Sequence, residues 1–399
     1  MTGPRGGPDH RASEQRGSLP IRVALVAQQL RRPVPGGIGR FTRCLLDGLS
    51  ALDPLPELTV VAGPARRGQK DDPLAGLPFP LRSVGGPILA ALGRIPLLET
   101  APDRVITRLW DRGLLSIKDQ DLVHALSLAT PPPAGGALTV MVHDIAWREV
   151  PDAYPPRGRA WHEAALQRAC GHARSLVVPS RSVADGLMRA GVGVGAARIE
   201  VIPEGCDHLG PPDNAGASRL LAHLGVSGEY LLSVSTLEPR KNLQRLIAAY
   251  RQLRADLPEP WPLVVVGPAG WGPRLRVCEG VVLAGRVQDN VLSALYGGAR
   301  VVAYVPLVEG FGLPAVEALA AGAPLVVSSA VPSIVEHGSP AVVVDACSTA
   351  EIRQAIGALA TDDSRRRDLA RSGPESVRGR TWEAAARHHV AWWSGVVSR

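Results

Sequence analysis

The chain has 399 residues, 45% of them hydrophobic, which is enough for two domains each with its own core. Its net charge of +7 comes almost wholly from arginine, with lysine only at Lys70, Lys118 and Lys241; that suits anionic partners, while an aromatic content of 4% argues against nucleic acid, which needs stacking platforms among the cations. No run reaches the roughly 18 apolar residues of a membrane span, and the five scattered cysteines form no C-x-x-C pair, which argues against zinc or disulfide frameworks and fits a reducing cytosol.

Residues 1–19, mostly Gly, Pro, Arg and Ser, lack the apolar core of a signal peptide and read as a disordered leader. "IRVALVAQQL" (21–30) is a continuous apolar run, as in a strand buried on both faces. A Gly-rich turn, "PGGIGR", leads into the helix "FTRCLLDGLSAL" and the strand "ELTVVAG". Residues 64–118 mix Pro, Gly, apolar patches and arginines, with an amphipathic piece at 104–118. "DLVHAL" and "LTVMVHDI" are strands, followed by the helix "RGRAWHEAALQRACGHA", the strand "SLVVPS", the helix "SVADGLMRAGV" and the strand "RIEVIPEG". "PPDNAGAS" (211–218) has the composition of a linker. Beyond it the alternation restarts with "YLLSVS", "NLQRLIAAYRQL", "PLVVVG", "GVVLAGRV", "NVLSALYGGA", "VVAYVP", "PAVEALAAG" and "PLVVSS", and ends in the helix "TWEAAARHHVAWWSGVV". Strand–helix alternation of this kind predicts doubly wound α/β domains whose ligands bind at the C-terminal strand edges.

The stretch "VEGFGLPAVEALAAGAP" (308–324) sets Glu309 on a turn and Glu317 in an alanine-rich helix, with Gly310, Phe311, Gly312 and Leu313 between them and Pro314 at the first helical position. A helix N-terminus beside such a turn is an anion site, and Gly310 and Gly312 are expected to let backbone approach a ligand closely. A carboxylate next to a phosphate would repel it. Both acids are therefore expected to accept from hydroxyls on either side of a diphosphate, Glu309 from a donor sugar and Glu317 from a ribose. In "STLEPRKN" (235–242), Arg240 and Lys241 follow a strand end and suit the two phosphates. "VPGGIGRF" (34–41) brings Gly36 and Gly37 to the cleft from the first domain. "VMVHDIAW" (140–147) ends a strand with His143, which suits a sugar hydroxyl or developing positive charge, and with Asp144, expected to orient it. "DQD" (119–121) precedes a strand and reads as a turn, "GVGVG" (191–195) reads as a loop, and His162, His388 and His389 lie on helices without ligand spacing, so no metal is assigned.

In sequence these blocks resemble the retaining glycosyltransferases of family 4, with the GT-B fold, from about Ile21 to the last helix. "EGFGLPAVEALAAGAP" is similar to that family's E-x7-E motif and "LEPRKN" to its Arg-Lys diphosphate block; "GGIGR", "VHD", "VPSRSVADGL", "VIPEG", "GRV" and "LYGGA" also fit in order. The resemblance implies Glu309 on the donor sugar, Glu317 on ribose, Arg240 and Lys241 on the diphosphate, Gly37 and His143 from the first domain, and Arg286 or Val287 near the base. "VIPEG" departs from the pattern, with Glu204 where the family more often has Asn, and 64–118 matches no motif.

The expectation is thus an α/β protein of two tandem Rossmann-like domains whose parallel sheets face each other across a cleft. An acceptor-binding domain spans 20–210 and is completed by a C-terminal helix at 381–399; a linker spans 211–225 and a nucleotide-sugar domain 226–380. The expected activity is metal-independent, cofactor-free transfer of a hexose from a nucleoside diphosphate sugar, with GDP-mannose or a related GDP-sugar favoured and a UDP-sugar next. The acceptor is a glycan, lipid-linked or small-molecule hydroxyl, with the protein cytoplasmic and in peripheral contact with anionic membrane through 86–118. The rival readings are a nucleotide-sugar epimerase on the same fold and a non-catalytic sugar-nucleotide-binding protein.

Overall fold

The computed structural model describes residues 20–32, 34–65, 72–84, 102–132, 134–191 and 198–398. The leader, residues 86–101 and most of "GVGVG" lie outside the described residues.

The continuous Val/Leu/Ala runs form strands. β1 (Arg22–Val26), β2 (Glu57–Ala62), β3 (Leu81–Ser83), β4 (Leu122–Ala125), β5 (Ala137–Met141), β6 (Ser175–Val178) and β7 (Ile199–Val201) make one parallel sheet in the order β3-β2-β1-β4-β5-β6-β7. β8 (Leu231–Val234), β9 (Leu263–Val266), β10 (Val281–Gly285), β11 (Val301–Tyr304), β12 (Leu325–Ser328) and β13 (Val342–Val344) make a second, in the order β10-β9-β8-β11-β12-β13. β4, β6, β8, β9, β11 and β12 are buried at every residue, because helices cover both faces of each sheet. Strand order reverses between β1 and β4 in the first sheet and between β8 and β11 in the second. At such a reversal the connections leave on opposite faces and open a crevice beyond the strand ends. All four strands therefore deliver their loops to the space between the domains.

Two stretches differ from the sequence expectation. The segment read as a linker over 211–225 contains a helix, Asn214–His223, capped by Asp213, whose side chain accepts from the Gly216 N–H at 2.8 Å, and it packs on the helix Asp289–Gly298 of the second domain. The Pro/Asn/Gly/Ser composition here marks a helix start, because Asp holds the first free N–H groups. Within 64–118, β3 joins the sheet edge and the helix Pro102–Asp111 lies over it, with Ile106, Trp110, Leu115 and Ile117 buried. The apolar side of that amphipathic piece is thus turned onto the domain core. Arg108, Arg112 and Lys118 remain exposed around Leu114, itself 62% exposed.

The last helix, Trp382–Val397, returns to the first domain and packs along the helix Gly36–Ser50. Glycines make the approach possible. A Cβ on Gly48 would stand 2.4 Å from the Trp382 carbonyl oxygen, and one on Gly205 2.4 Å from the Trp382 nitrogen. Gly395, on the same helix, faces open space. Gly48→Ala should therefore destabilise the protein by about 1–3 kcal/mol through overpacking. Gly395→Ala should stabilise it by up to about 1 kcal/mol through reduced backbone entropy. Urea unfolding of the two variants measures both signs.

Candidate active site

The loops after β8 and β11 are bound to each other before they meet any ligand. After β8 the chain makes a single 3-10 turn, Pro239–Lys241, and Asn242 takes a left-handed conformation (φ 60°). The Asn242 Nδ2 donates to the carbonyls of Val305 at 2.9 Å and Ala346 at 2.8 Å, and the Leu307 N–H donates to the Arg240 carbonyl at 2.9 Å. Arg240 and Lys241 consequently face Glu309. Three donors converge on one oxygen, Glu309 Oε1: the Lys241 ammonium, Arg240 Nη1 at 3.2 Å and the Tyr304 hydroxyl at 2.7 Å. Burial alone would raise the Glu309 carboxyl; Lys241 and Arg240 outweigh it and hold the group below the usual carboxylate range. Arg240 also lies 2.6 Å from Glu238 and 4.0 Å from Asp144.

The turn after Glu309 leads into the helix Leu313–Ala320, whose N-cap, Gly312, has no side chain to close it. Glu317 on this helix is 2% exposed. Its Oε2 accepts from the Tyr296 hydroxyl at 2.8 Å and its Oε1 from His208 Nε2 at 2.9 Å. The Trp382 indole N–H donates to His208 Nδ1 at 3.1 Å, which places the imidazole proton on Nε2. Burial would raise Glu317 as well; the His208 hydrogen bond, Arg40 and Tyr296 reverse it and hold the carboxyl low. Arg40 reaches across from the first domain, with Nη2 2.7 Å from Asp289 and Nη1 3.8 Å from Glu317.

The first domain contributes His143, two residues past β5. Its Nε2 lies 3.0 Å from the Leu126 carbonyl and its Nδ1 3.6 Å from Glu204, while its ring packs edge-on to Phe41. Asp144, expected to orient this ring, instead caps the Ala146 N–H at 3.1 Å and faces Arg240; Glu204 takes the place beside His143. The expected reason for the glycines also changes. A Cβ on Gly310 would fall 1.7 Å from the His143 carbonyl oxygen, so this glycine permits domain-to-domain contact. Gly312 has φ +97°, and a Cβ there would meet Val331 at 2.5 Å. Phe311 and Leu313 are core side chains and can offer a ligand only backbone. Gly36 and Gly37 do face open space. Arg286 is exposed and Val287 half-buried just past β10, on the approach to Asp289.

Further contacts join the domains. Ser180 Oγ donates to the Gly310 carbonyl at 2.7 Å, and Glu336 accepts from the N–H groups of Arg181 at 3.1 Å and Ser182 at 2.7 Å. A cavity of about 330 Å³ remains between them, lined by Asp144, Glu149 and Ser182 on one side and Val308, Glu309 and Ser329 on the other. Among the described residues no group of three His, Cys, Asp or Glu side chains is placed to hold a metal ion. His208, Tyr296, Tyr304, Asn242 and Arg40 were not singled out in the sequence. For Arg40 the only signal was its place after the Gly-Gly turn.

Two family models together match most of the chain: Glycosyltransferase Family 4 over residues 35–208 and Glycosyl transferases group 1 over residues 224–376. The O-antigen chain mannosyltransferase B of Escherichia coli is 28% identical over 382 residues, covering 91% of this chain and 97% of that protein. Among solved structures, sucrose-phosphate synthase from Thermosynechococcus elongatus superposes with a TM-score of 0.68 at 18% identity, over 95% of this chain and 99% of its own. Anabaena Alr3699/HepE, in complex with UDP-glucose, superposes with a TM-score of 0.67 at 19% identity, over 94% of this chain and 100% of its own. The chain belongs to the family 4 glycosyltransferases and has the GT-B fold.

Glu309 and Glu317 both ionise below the usual range in the folded chain. The stability they confer is complete above the unfolded carboxylate range, about pH 4.3, and is lost as pH falls through their lowered values. Glu317→Gln should cost about 2 kcal/mol at neutral pH, because it weakens charge-assisted hydrogen bonds in a buried site. The gap to wild type should begin to narrow at about pH 4, where the unfolded wild-type chain takes up the proton, and close only as pH falls through the lowered value of the folded Glu317. Urea unfolding between pH 7 and pH 3 measures it.

Proposed function

We propose that this cleft transfers a hexose from a nucleoside diphosphate sugar to an acceptor hydroxyl, with retention of configuration and without a metal ion. The observation that carries the reading is the division of labour on Glu309. Its Oε1 takes Lys241, Arg240 and Tyr304, its Oε2 takes none of them, and the side chain lines the interdomain cavity. A sugar hydroxyl donating to Oε2 would sit beside the two cations suited to its own diphosphate. The open helix N-terminus at Gly312 adds N–H groups toward the phosphates, and Glu317 lies one turn further on, toward the nucleoside.

In the proposed reaction the bond between the sugar C1 and the phosphate oxygen breaks, and the acceptor oxygen bonds to C1 on the same face. The acceptor proton passes to the departing phosphate. Arg240 and Lys241 stabilise the charge that develops on the leaving group, a preorganised electrostatic effect. The His143 carbonyl, which packs against Gly310, is assigned to support the developing positive charge on the sugar.

GDP-mannose or a related GDP-sugar is the favoured donor, on the resemblance of "LEPRKN" and "VHD" to mannosyltransferases and on the mannosyltransferase among the relatives. A UDP-sugar is next. The role is assigned to cell-envelope polysaccharide synthesis on a glycan or lipid-linked acceptor. Peripheral contact with anionic membrane is assigned to Arg108, Arg112 and Lys118 around exposed Leu114.

Thermal unfolding with GDP, UDP, ADP and dTDP and their common sugars, with EDTA throughout, should show a rise in Tm with one diphosphate family. Arg240→Ala should abolish that rise and cut transfer by roughly 100-fold or more. Proton NMR of the product should show the anomeric configuration of the donor. An inverted product, or transfer lost in EDTA and restored by magnesium, would sink the mechanism. Co-sedimentation with anionic vesicles at low salt should fall several-fold in the Arg108→Glu, Arg112→Glu double variant.

A further inference from the structure

We propose that Arg40, supplied by the first domain, is a third phosphate-binding cation of the donor site, and that it exchanges Asp289 for the diphosphate when the donor binds. The inference rests on the nucleotide-sugar reading above.

The charge around Arg240 and Lys241 calls for it. These two cations face three carboxylates: Glu238 at 2.6 Å and Asp144 at 4.0 Å from Arg240, and Glu309 bonded to both. An arriving diphosphate therefore meets no surplus of positive charge there. The helix N-terminus at Leu313 supplies only about half a unit charge.

Arg40 is placed to make up the difference. It follows Gly36 and Gly37, which face open space, and opens the second turn of the helix Gly36–Ser50. Its side chain crosses the cleft, and the two halves of its guanidinium are unequally satisfied. Nη2 donates to Asp289 Oδ1 at 2.7 Å. Nη1 is shielded from solvent and has no hydrogen-bond partner; the nearest carboxylate oxygen, on Glu317, is 3.8 Å away. A buried donor without an acceptor is costly and rare, and it marks a place where an acceptor is due. The present partner is readily given up, because the Asp289 side chain is 50% exposed and such pairs contribute little in water. Glu317 lies about 6 Å along the axis from the start of its helix, so a phosphate at that start is within a side-chain rotation of the guanidinium. Two phosphate oxygens would then match the Arg fork.

A purely structural latch between the domains predicts something different, and calorimetry separates the two. The ligands are the tightest-binding of GDP, UDP, ADP and dTDP and the nucleoside with the same base. Arg40→Gln should weaken the diphosphate roughly tenfold or more and the nucleoside less than about twofold. Arg40→Lys should recover part of the loss, and Asp289→Asn should bind the diphosphate at least as tightly as wild type. An Arg40→Gln variant that weakens both ligands alike, or neither, overturns the proposal. So does an Asp289→Asn variant that weakens the diphosphate, which decides the matter even if Arg40→Gln does not fold. Wild-type protein that binds none of the four diphosphates overturns the donor reading itself, and the role of Arg40 with it.

Discussion

A carboxylate buried between two strand ends needs cations beside it, and in this chain that requirement ties the loops after β8 and β11 together. Glu309 is nearly removed from water, a position that would neutralise an isolated acid. Lys241, Arg240 and the Tyr304 hydroxyl keep it ionised. Arg240 and Lys241 belong to the loop after β8, Tyr304 and Glu309 to the end of β11 and the loop beyond it, and β8 and β11 are hydrogen-bonded neighbours. The ion cluster is therefore the seam at the strand-order reversal, and Asn242 stitches the same seam through its bonds to Val305 and Ala346. A single set of interactions fixes both the loop geometry and the positions of Arg240, Lys241 and Glu309.

The second requirement is contact between domains. Gly310 lies flat against the His143 carbonyl, Ser180 bonds the Gly310 carbonyl, and Glu336 closes the N-terminus of the helix Arg181–Arg189. Each of these uses a backbone group at the end of an element, so the domains meet through strand and helix termini. One apolar cluster nevertheless runs across the junction, joining Leu25 and Phe41 of the first domain to Leu232 and Phe311 of the second.

Which parts were legible in the sequence follows from range. Continuous apolar runs, the Gly-rich turn, Pro314 at a helix start and the spacing of Glu309 and Glu317 are local signals, and they located most of the strands and the central acids; the strand order, and with it the reversal points, is not local. The partners of those acids are not local. His208 stands 109 positions from Glu317, and Trp382 stands 174 from His208. No spacing rule connects them; only the return of the last helix to the first domain does. The two glycines of "EGFGL" illustrate a subtler limit. Their presence is legible, but not what fills the space they leave: the His143 carbonyl of the opposite domain at Gly310, and Val331 of its own domain at Gly312. Asp144 gives up its expected place beside His143 to Glu204 for the same reason, since adjacency in the chain favoured Asp144 while the fold placed Glu204 beside the ring. At 211–225 composition misled, because an Asp followed by small residues serves a helix start as well as a linker.

The contrast between global and local charge bears on turnover. The chain as a whole carries +7, which draws a dianionic nucleotide toward it over the range of a Debye length. Inside the cleft the cations are matched by carboxylates, so that attraction does not deepen at the point of reaction. In the proposed reaction the nucleoside diphosphate that leaves is more highly charged than the donor that enters, and this arrangement would favour its release. A strongly cationic pocket would bind the product more tightly than the substrate and slow its departure. Cations already held by Glu309 and Glu238 can instead turn toward the leaving group as its charge grows and return to their carboxylates when it leaves. The buried acids around Arg240 and Lys241 thus hold the two cations in place in the empty cleft, and in the proposed reaction they limit how long a diphosphate stays bound.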